Sequence, residues 1–304
     1  MRPGPLGRLA LARTAVDPAA EHRKDEAWLA AAWADPRAQV LLLHDGRTLV
    51  DGHRLVPVST KTAGEGERYL LGVDVDGAPW FAVLRAEPLE VDGGPAAAGL
   101  REVGAVLDDR DAGLLVHAVA LANWHASHPR CARCGEPTGV EQAGHVRRCP
   151  ACGAEHFPRT DPAVIVMVTD ADGRGLLARN PRWPERRFST LAGFVEPGEP
   201  VERTVVREVR EEVGLDVVDV TYLGSQPWPF PSSLMLGFTA LAPDPAALEV
   251  DGEEICEARW FTREELAACV TTGEVLLPGD VSIARRLVEH WWGGPMAEPG
   301  VERW

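Results

Sequence analysis

A chain of 304 residues exceeds the usual size of one compact domain, so two or more packed units are expected. A hydrophobic fraction of 45% and a charged fraction of 25% are ordinary for a soluble globular protein, and exclude collagenous, low-complexity and membrane-spanning architectures. The net charge of -15 excludes bulk, non-specific adhesion to nucleic acid or an anionic membrane, and is compatible with a site that collects divalent cations. The acidity is uneven. Residues 1–158 carry 17 basic and 21 acidic side chains, a net of -4, and residues 159–304 carry 14 and 25, a net of -11. Met1 to Glu26 has no apolar stretch of the signal-peptide kind, and no segment approaches the ~18 apolar residues of a membrane helix. Six cysteines are too few for a disulfide scaffold, which points to a reduced, cytoplasmic compartment.

In chain order, Gln39–Val50 reads as a hairpin, two apolar runs around Asp45-Gly46, and Tyr69–Leu84 repeats the pattern around Asp76-Gly77. Between Asp111 and Trp124, the spacing of Leu114, Leu115, Ala118, Leu121 and Ala122 suits a helix. Nothing in these 125 residues names a chemistry. Ala163–Val168 is a β-branched run and reads as a strand that turns at residues 171–175 into Leu176–Arg179. Gly173-x-Gly175-x-x-Ala178 matches a dinucleotide fingerprint literally, but Asn180-Pro181 forbids the helix which that fingerprint requires, so the segment is a hairpin turn. Glu199–Val213 reads as a helix, Leu234–Ala242 and Ala258–Phe261 as strands, Asp280–Trp292 as a closing helix, and residues 293–304 as a loose tail.

Cys131-x2-Cys134 and Cys149-x2-Cys152 stand 14 residues apart. Each knuckle offers two corners of a tetrahedron, and together they make a closed four-sulfur site, structural because no position is left for water or substrate. Gly135 and Gly153 follow the second cysteine of each knuckle, where a positive φ is useful. Zinc is the reading adopted, with an iron–sulfur centre or a pair of redox dithiols as alternatives. His125, His128, His145 and His156 lie nearby as solvent or supporting groups. Arg130, Arg133, Arg147 and Arg148 are expected to offset the charge of the thiolates. Cys256 and Cys269 are expected to pack as small apolar side chains.

The segment from Gly193 to Leu215 is the most informative. On a helix Glu208, Glu211 and Glu212 share one face, beside a stripe of Val201, Val205, Val209 and Val213 that can dock on a sheet. Three crowded carboxylates need neutralising, and Mg²⁺ or Mn²⁺ would do it; the bland alternative is a solvated acidic face. The spacing Gly193-x5-Glu199-x7-Arg207-Glu208-Val209-x-Glu211-Glu212-x-Gly214-Leu215 resembles the Nudix box at every fixed position. The resemblance implies divalent metals held against a diphosphate. Glu208 and Glu212 would be metal ligands, Glu211 a ligand or water-activating base, and the Ala192 carbonyl a further ligand. Arg207 would orient the carboxylates, while Glu199 and Gly193 shape the loop.

Downstream, Ser225-Gln226-Pro227-Trp228-Pro229-Phe230-Pro231-Ser232-Ser233 taken alone fits a polyproline or rigid surface loop. After a Nudix box it looks like the aromatic–proline array of the NAD(H) pyrophosphatase branch. Glu254 ahead of Ala258-Arg259-Trp260, and Ala284-Arg285-Arg286-Leu287, add to the likeness. It covers residues 126–292 by motif and the first 125 by layout only. The implied fold is mixed α/β (α+β): an amino-terminal α/β domain over 1–125, a four-cysteine zinc ribbon over 126–158 and a Nudix α/β/α sandwich over 159–292. The implied activity is hydrolysis of NAD⁺ or NADH to nicotinamide mononucleotide and AMP, with removal of NAD caps from RNA. Phe157, Phe194, Gln226 through Ser233 and Ala284 would contact substrate, Glu254 (or Glu253 beside it) would be another metal ligand, and the working unit would be a homodimer. Phe157 stands where the branch tends to have Tyr, so a hydroxyl is lost and the ring face kept. A preference for ADP-ribose or another dinucleotide, and a binding module with an inactive Nudix domain, are the competing readings.

Overall fold

The computed structural model of the chain describes residues 4–89 and 94–296. The chain forms two compact units. One comprises Leu11–Thr160 with Trp228–Ser232; the other comprises Asp161–Pro227, the segment from Ser233 onward, and the described residues up to Ala10.

In the first unit, α1 (Glu26–Ala34) precedes β1 (Gln39–Leu43), β2 (Arg47–Asp51), β3 (Arg54–Leu55), β4 (Val58–Ser59), β5 (Arg68–Val73), β6 (Pro79–Leu84) and β7 (Ala96–Gly99). Two helices follow, α2 (Leu100–Val103) and α3 (Asp109–Ser127), the latter over the apolar spacing read from the sequence. The β5–β6 hairpin forms as expected. The Asp45-Gly46 turn also forms, both residues at positive φ, with His44 and Arg47 exchanging hydrogen bonds of 3.0 and 2.9 Å. Its two strands do not stay paired, which corrects the hairpin expectation. β1 pairs parallel with β6 in the sheet β4-β1-β6-β5, while β2 joins β3-β2-β7. Apolar runs on both sides of the turn allow this, because each strand has its own partners for burial: Val40, Leu41 and Leu43 in one sheet, Leu49 and Val50 in the other.

Three short strands complete the unit: β8 (Gly139–Glu141), β9 (Val146–Arg148) and β10 (Glu155–His156), ordered β10-β9-β8. Buried polar contacts tie them to α3 and β5. His145 Nε2 meets the Leu70 carbonyl at 2.9 Å, and His125 Nε2 meets the Gly144 carbonyl at 2.8 Å. The His125 ring stacks on Tyr69 at 4.4 Å. Burial holds the His117 and His145 rings neutral, with pKa values lowered to about 4 and about 3.

In the second unit, β11 (Asp161–Asp170) is the central strand of the sheet β14-β15-β11-β12-β16, built with β12 (Gly175–Arg179), β14 (Val218–Trp228), β15 (Ser233–Ala242) and β16 (Glu257–Phe261). β13 (Leu191–Phe194) pairs antiparallel with β11, which runs parallel to β15. The segment at residues 171–175 is the hairpin turn expected, closed by Asp170 N–H to the Arg174 carbonyl at 3.1 Å. Successive side chains of β11 face opposite ways. Val164, Val166 and Val168 join one core with Val205, Val209 and Val213 of α4 (Val201–Val213), while Ile165 and Met167 join the other with Ile283, Leu287 and Val288 of α6 (Ile283–Trp292). This is the α/β/α sandwich read from the sequence. The helix α5 (Arg263–Thr272), begun by a Thr262/Glu265 capping box, and the strands β7 and β13 were not anticipated. Leu6 is buried in the α6 core, so the amino-terminal residues serve this unit. Of the expected tail, residues 297–304 lie outside the described residues, and Met296 is buried, its carbonyl accepting from Arg285 Nη2 at 2.6 Å. Among the described residues no helix is long and apolar enough to cross a membrane.

Candidate active site

The valine stripe seats α4 on the sheet and thereby fixes where its acidic face begins. Glu208 and Glu212 are buried, at 8% and 5% exposure, and Glu211 is exposed. The strand β13 passes so close that a β-carbon on Gly193 would lie 1.9 Å from the Glu208 carboxyl carbon. The first glycine of the motif is therefore a steric requirement: only a residue without a side chain lets the carboxylate lie against the strand.

Arg207 organises the cluster. Its Nε and Nη2 donate to Glu199 at 3.0 and 2.9 Å, Nη1 to Glu208 Oε1 at 2.9 Å and Glu211 Oε2 at 2.8 Å, and Nη2 to the Phe194 carbonyl at 2.9 Å. Thr204 Oγ1 adds a hydrogen bond to Glu199 at 2.8 Å. The Arg207 guanidinium and these partners hold the Glu199 carboxyl down at about 2, and the same contacts raise the pKa of Arg207. One arginine thus fastens the loop after β13 to the helix face. The Thr204 and Phe194 contacts were not read from the sequence.

Glu212 differs from its neighbours. Its Oε2 is buried with no hydrogen-bond partner. Burial first, then the negative charges of Glu208, Glu254, Asp251 and Glu211, push its carboxyl up to about 8. Burial likewise raises Glu208, against the pull of Arg207. A buried carboxylate oxygen without a partner, ringed by acids, is an electrostatic deficit that a divalent cation fits. Glu254, whose charge bears on both Glu208 and Glu212, lies in a loop fastened by Asp251. That side chain accepts from Glu254 N–H at 3.0 Å and Ile255 N–H at 2.8 Å, while Asp251 N–H donates to the Glu212 carbonyl at 3.2 Å. Asp251 went unnoticed in the sequence, where Asp-Gly is an ordinary turn signal.

The expected substrate contacts divide. Phe157 and Phe194 are 61% and 60% exposed, unusual for large apolar rings and suited to a stacking surface. Ala192 is exposed on β13, in register with Ile165. Pro227, Trp228, Phe230, Ser232 and Ser233 are half-buried, Pro231 exposed and Pro229 buried. Two side chains fail the expectation. Gln226 is fully buried, its Nε2 donating to the Val281 carbonyl at 3.0 Å, because on β14 it alternates to the core face. Ala284 lies in the core beside Leu287, and its N–H is used by the helix cap Ser282.

The four cysteines behave as the spacing implied. Their Sγ atoms lie within 4.8 Å of one another, with Cys131–Cys152, Cys134–Cys152 and Cys134–Cys149 at 3.6, 3.6 and 3.5 Å. Tetrahedral zinc with ~2.3 Å bonds to sulfur requires edges of ~3.8 Å. The donor set therefore fits zinc. Gly135 and Gly153, at φ 80° and 72°, close the knuckles with 2.9 Å bonds to the Cys131 and Cys149 carbonyls. Among the described residues this is the only group of three or more such ligands; Glu208 and Glu211 are drawn to Arg207 instead. His156 supports the site, its Nε2 3.2 Å from Cys131 Sγ.

The expectation for the arginines needs correcting. Arg147 is buried and donates to Thr138 and His125, Arg148 pairs with Glu141 and Glu155, and Arg130 donates to the Gly135 carbonyl. Arg133 reaches sulfur only through its backbone N–H, 3.4 Å from Cys131 Sγ. Cys256 and Cys269 are half-buried, each near an oxygen acceptor.

Family models match in three places: a NUDIX domain over residues 159–281, an NADH pyrophosphatase zinc ribbon domain over 126–157, and an NADH pyrophosphatase-like rudimentary NUDIX domain over 37–124. The chain is 44% identical over 295 residues to a protein named NAD-capped RNA hydrolase NudC from Mycobacterium bovis, covering 92% of this chain and 94% of that one. It is 43% identical, with the same coverage, to the protein of that name from Mycobacterium tuberculosis. To the one from Stutzerimonas stutzeri it is 42% identical over 74% of this chain and 77% of that protein. Fixed acidic helix, four-sulfur ribbon and likeness over 92% of the chain together place it in the Nudix hydrolase family, in its NADH pyrophosphatase branch, as a pyrophosphohydrolase.

Proposed function

We propose that the protein hydrolyses the pyrophosphate of NAD⁺ or NADH to nicotinamide mononucleotide and AMP, and removes NAD caps from RNA. The observation that carries this reading is the buried, partnerless Glu212 oxygen among Glu208, Glu211 and Glu254, on a helix that Arg207 holds to its loop. Glu208, Glu211, Glu212, Glu254 and the Ala192 carbonyl would hold Mg²⁺ or Mn²⁺, which when bound neutralises diphosphate charge and acidifies water. The residues of the chain do the rest. Arg207 and Glu199 keep the carboxylates aimed, and Glu211, the exposed member, or Glu212 accepts a proton from the attacking water. A new oxygen–phosphorus bond forms, and the bridging bond breaks toward the other phosphate.

Phe194 in one unit, and Phe157, Trp228, Phe230 and Pro231 in the other, each offer flat apolar surface of the kind nicotinamide stacks on. The names of the similar proteins support the capped-RNA extension. A net charge of -15 fits contact confined to the cap. In this reading residues 1–125 and the ribbon at 126–158 serve the catalytic segment at 159–292, with the end of the chain a tail, in a cytoplasmic homodimer. Incubation with NADH, ADP-ribose and nucleoside triphosphates under Mg²⁺ or Mn²⁺, with products identified, tests the reading. Release of nicotinamide mononucleotide and AMP is the expected result; faster turnover of ADP-ribose than of NADH overturns it.

Gly193→Ala is a sharper probe of the site. The added β-carbon pushes the Glu208 carboxylate off the strand, and an ångström of misplacement costs ~10²-fold in rate. We expect kcat/KM for NADH to fall by about that factor. The melting temperature should move little, because a side-chain end yields rather than backbone. An unchanged kcat/KM would mean the Glu208 position is immaterial.

A further inference from the structure

The turn Trp228–Ser232 interrupts the Nudix segment in sequence, yet it clusters with residues 11–160. Three contacts hold it there. Arg101 of α2 places its guanidinium carbon 3.9 Å from the centroid of the Phe230 ring and 4.8 Å from that of Trp228. The two rings meet edge to face, 5.0 Å apart. Asn123 of α3 donates from Nδ2 to the Pro229 carbonyl at 2.8 Å. Within the turn, Phe230 N–H donates to the Trp228 carbonyl at 2.7 Å.

A guanidinium is planar, permanently charged and weakly hydrated, so one group can lie against two aromatic faces where an ammonium could not. The neighbouring acid does not compete for it. Glu102 is taken by Arg47 at 2.6 Å. Arg101 and Asn123 come from a segment whose sequence offers no catalytic motif, yet they contact the aromatic turn at residues 228–232.

We infer that Arg101, assisted by Asn123, is a positioning residue for substrate binding: the amino-terminal domain sets the shape of the aromatic turn on which the flat base of a dinucleotide rests. This rests on the reading of Trp228–Ser232 as substrate-lining. It gives the amino-terminal domain a specific task in ground-state recognition, separate from the bond-breaking glutamates.

The test compares Arg101→Ala, Arg101→Lys and Asn123→Ala with the full-length wild type, using NADH with Mg²⁺. Arg101→Ala is expected to raise KM about five- to tenfold, the scale of two exposed cation–π contacts, with kcat within about twofold. Arg101→Lys keeps the charge but loses the planar stack, and recovers part of the loss. Hydrogen exchange of the peptide spanning residues 228–232 is expected to accelerate in Arg101→Ala and in Asn123→Ala, with the melting temperature unchanged. Wild-type KM in Arg101→Ala overturns the inference. So does a fall in kcat at constant KM, or unaltered exchange of the turn. Failure of the wild type to cleave NADH would instead overturn the proposed activity, and the exchange measurement would still decide whether Arg101 holds the turn.

Discussion

Replacing Glu212 by Gln is expected to lower NADH turnover by ~10²–10³-fold or more, the scale for losing one preorganised electrostatic contact, while leaving the chain folded. The substitution is nearly isosteric and removes the charge from the one carboxylate among the described residues that has a buried oxygen without a partner. The sign of the stability effect is unusual and therefore informative. Burial and surrounding acids push the Glu212 carboxyl up to about 8 from an ordinary 4.5. Across that window the folded, metal-free state binds more protons than the unfolded state, so the contribution of this group to stability is complete below pH 4.5 and is lost as pH rises toward 8. Each pH unit inside the window costs on the order of 1 kcal/mol at most. Metal-free Glu212→Gln lacks this penalty and should melt above metal-free wild type at pH 8, with the difference shrinking toward pH 5. Added Mg²⁺ or Mn²⁺ should raise the melting temperature of the wild type far more than that of the variant. Unchanged turnover, or equal metal stabilisation of both proteins, would remove Glu212 from the metal shell.

What could be read from the sequence was what lies within one or two turns of chain. The Nudix motif is such a case: Gly193, Arg207 and the glutamates act on a single strand–loop–helix, so fixed spacing encodes the geometry directly. The two cysteine knuckles are equally local. A β-branched run sufficed for β11, which the structure buries on both faces, and helical periodicity sufficed for the valine stripe of α4.

The failures concern partners distant in sequence. Arg147 looked like a counter-charge for thiolates because it stands two residues from Cys149, but it is spent on Thr138 and His125. Gln226 sits in an array that reads as a binding loop, yet strand alternation turns it inward to Val281. The Asp45-Gly46 turn was visible and the divergence of its strands was not, since parallel pairing of β1 with β6 depends on residues 41 positions away. Arg101 gave no signal, because the rings that explain it lie more than a hundred residues downstream.

Loss of zinc should cost the protein stability first and activity only as a consequence. β8, β9 and β10 have three, three and two residues, too few for a self-sufficient sheet. Their order depends on the four sulfurs, two of them on the buried Cys131 and Cys149. In isolated zinc-finger peptides such a site is worth ~10–16 kcal/mol of apparent binding free energy, which is folding free energy when no site exists in the unfolded chain. The ribbon also completes buried contacts of its own unit. If it opens, His125 loses Arg147 and the Gly144 carbonyl, the Leu70 carbonyl loses His145, and the Tyr69 face loses the wall at Gly144, whose added β-carbon would lie 2.4 Å from the ring. Cys149→Ser, fully buried at the centre of the site, should therefore abolish stoichiometric zinc and lower the first calorimetric transition by ~10 °C or more. Cys256→Ser and Cys269→Ser should retain one zinc per chain and melt close to wild type, since neither belongs to the sulfur cluster. Below the lowered transition, kcat for NADH should stay within a few-fold of wild type, because the acidic helix and Arg207 lie on α4 in the other unit. Phe157 follows His156, which the sulfur of Cys131 holds at 3.2 Å, so the residual defect should appear in KM. A zinc-free variant that melts normally would show the ribbon to be self-supporting, and immediate loss of kcat in a still-folded variant would assign the metal a part in the chemistry.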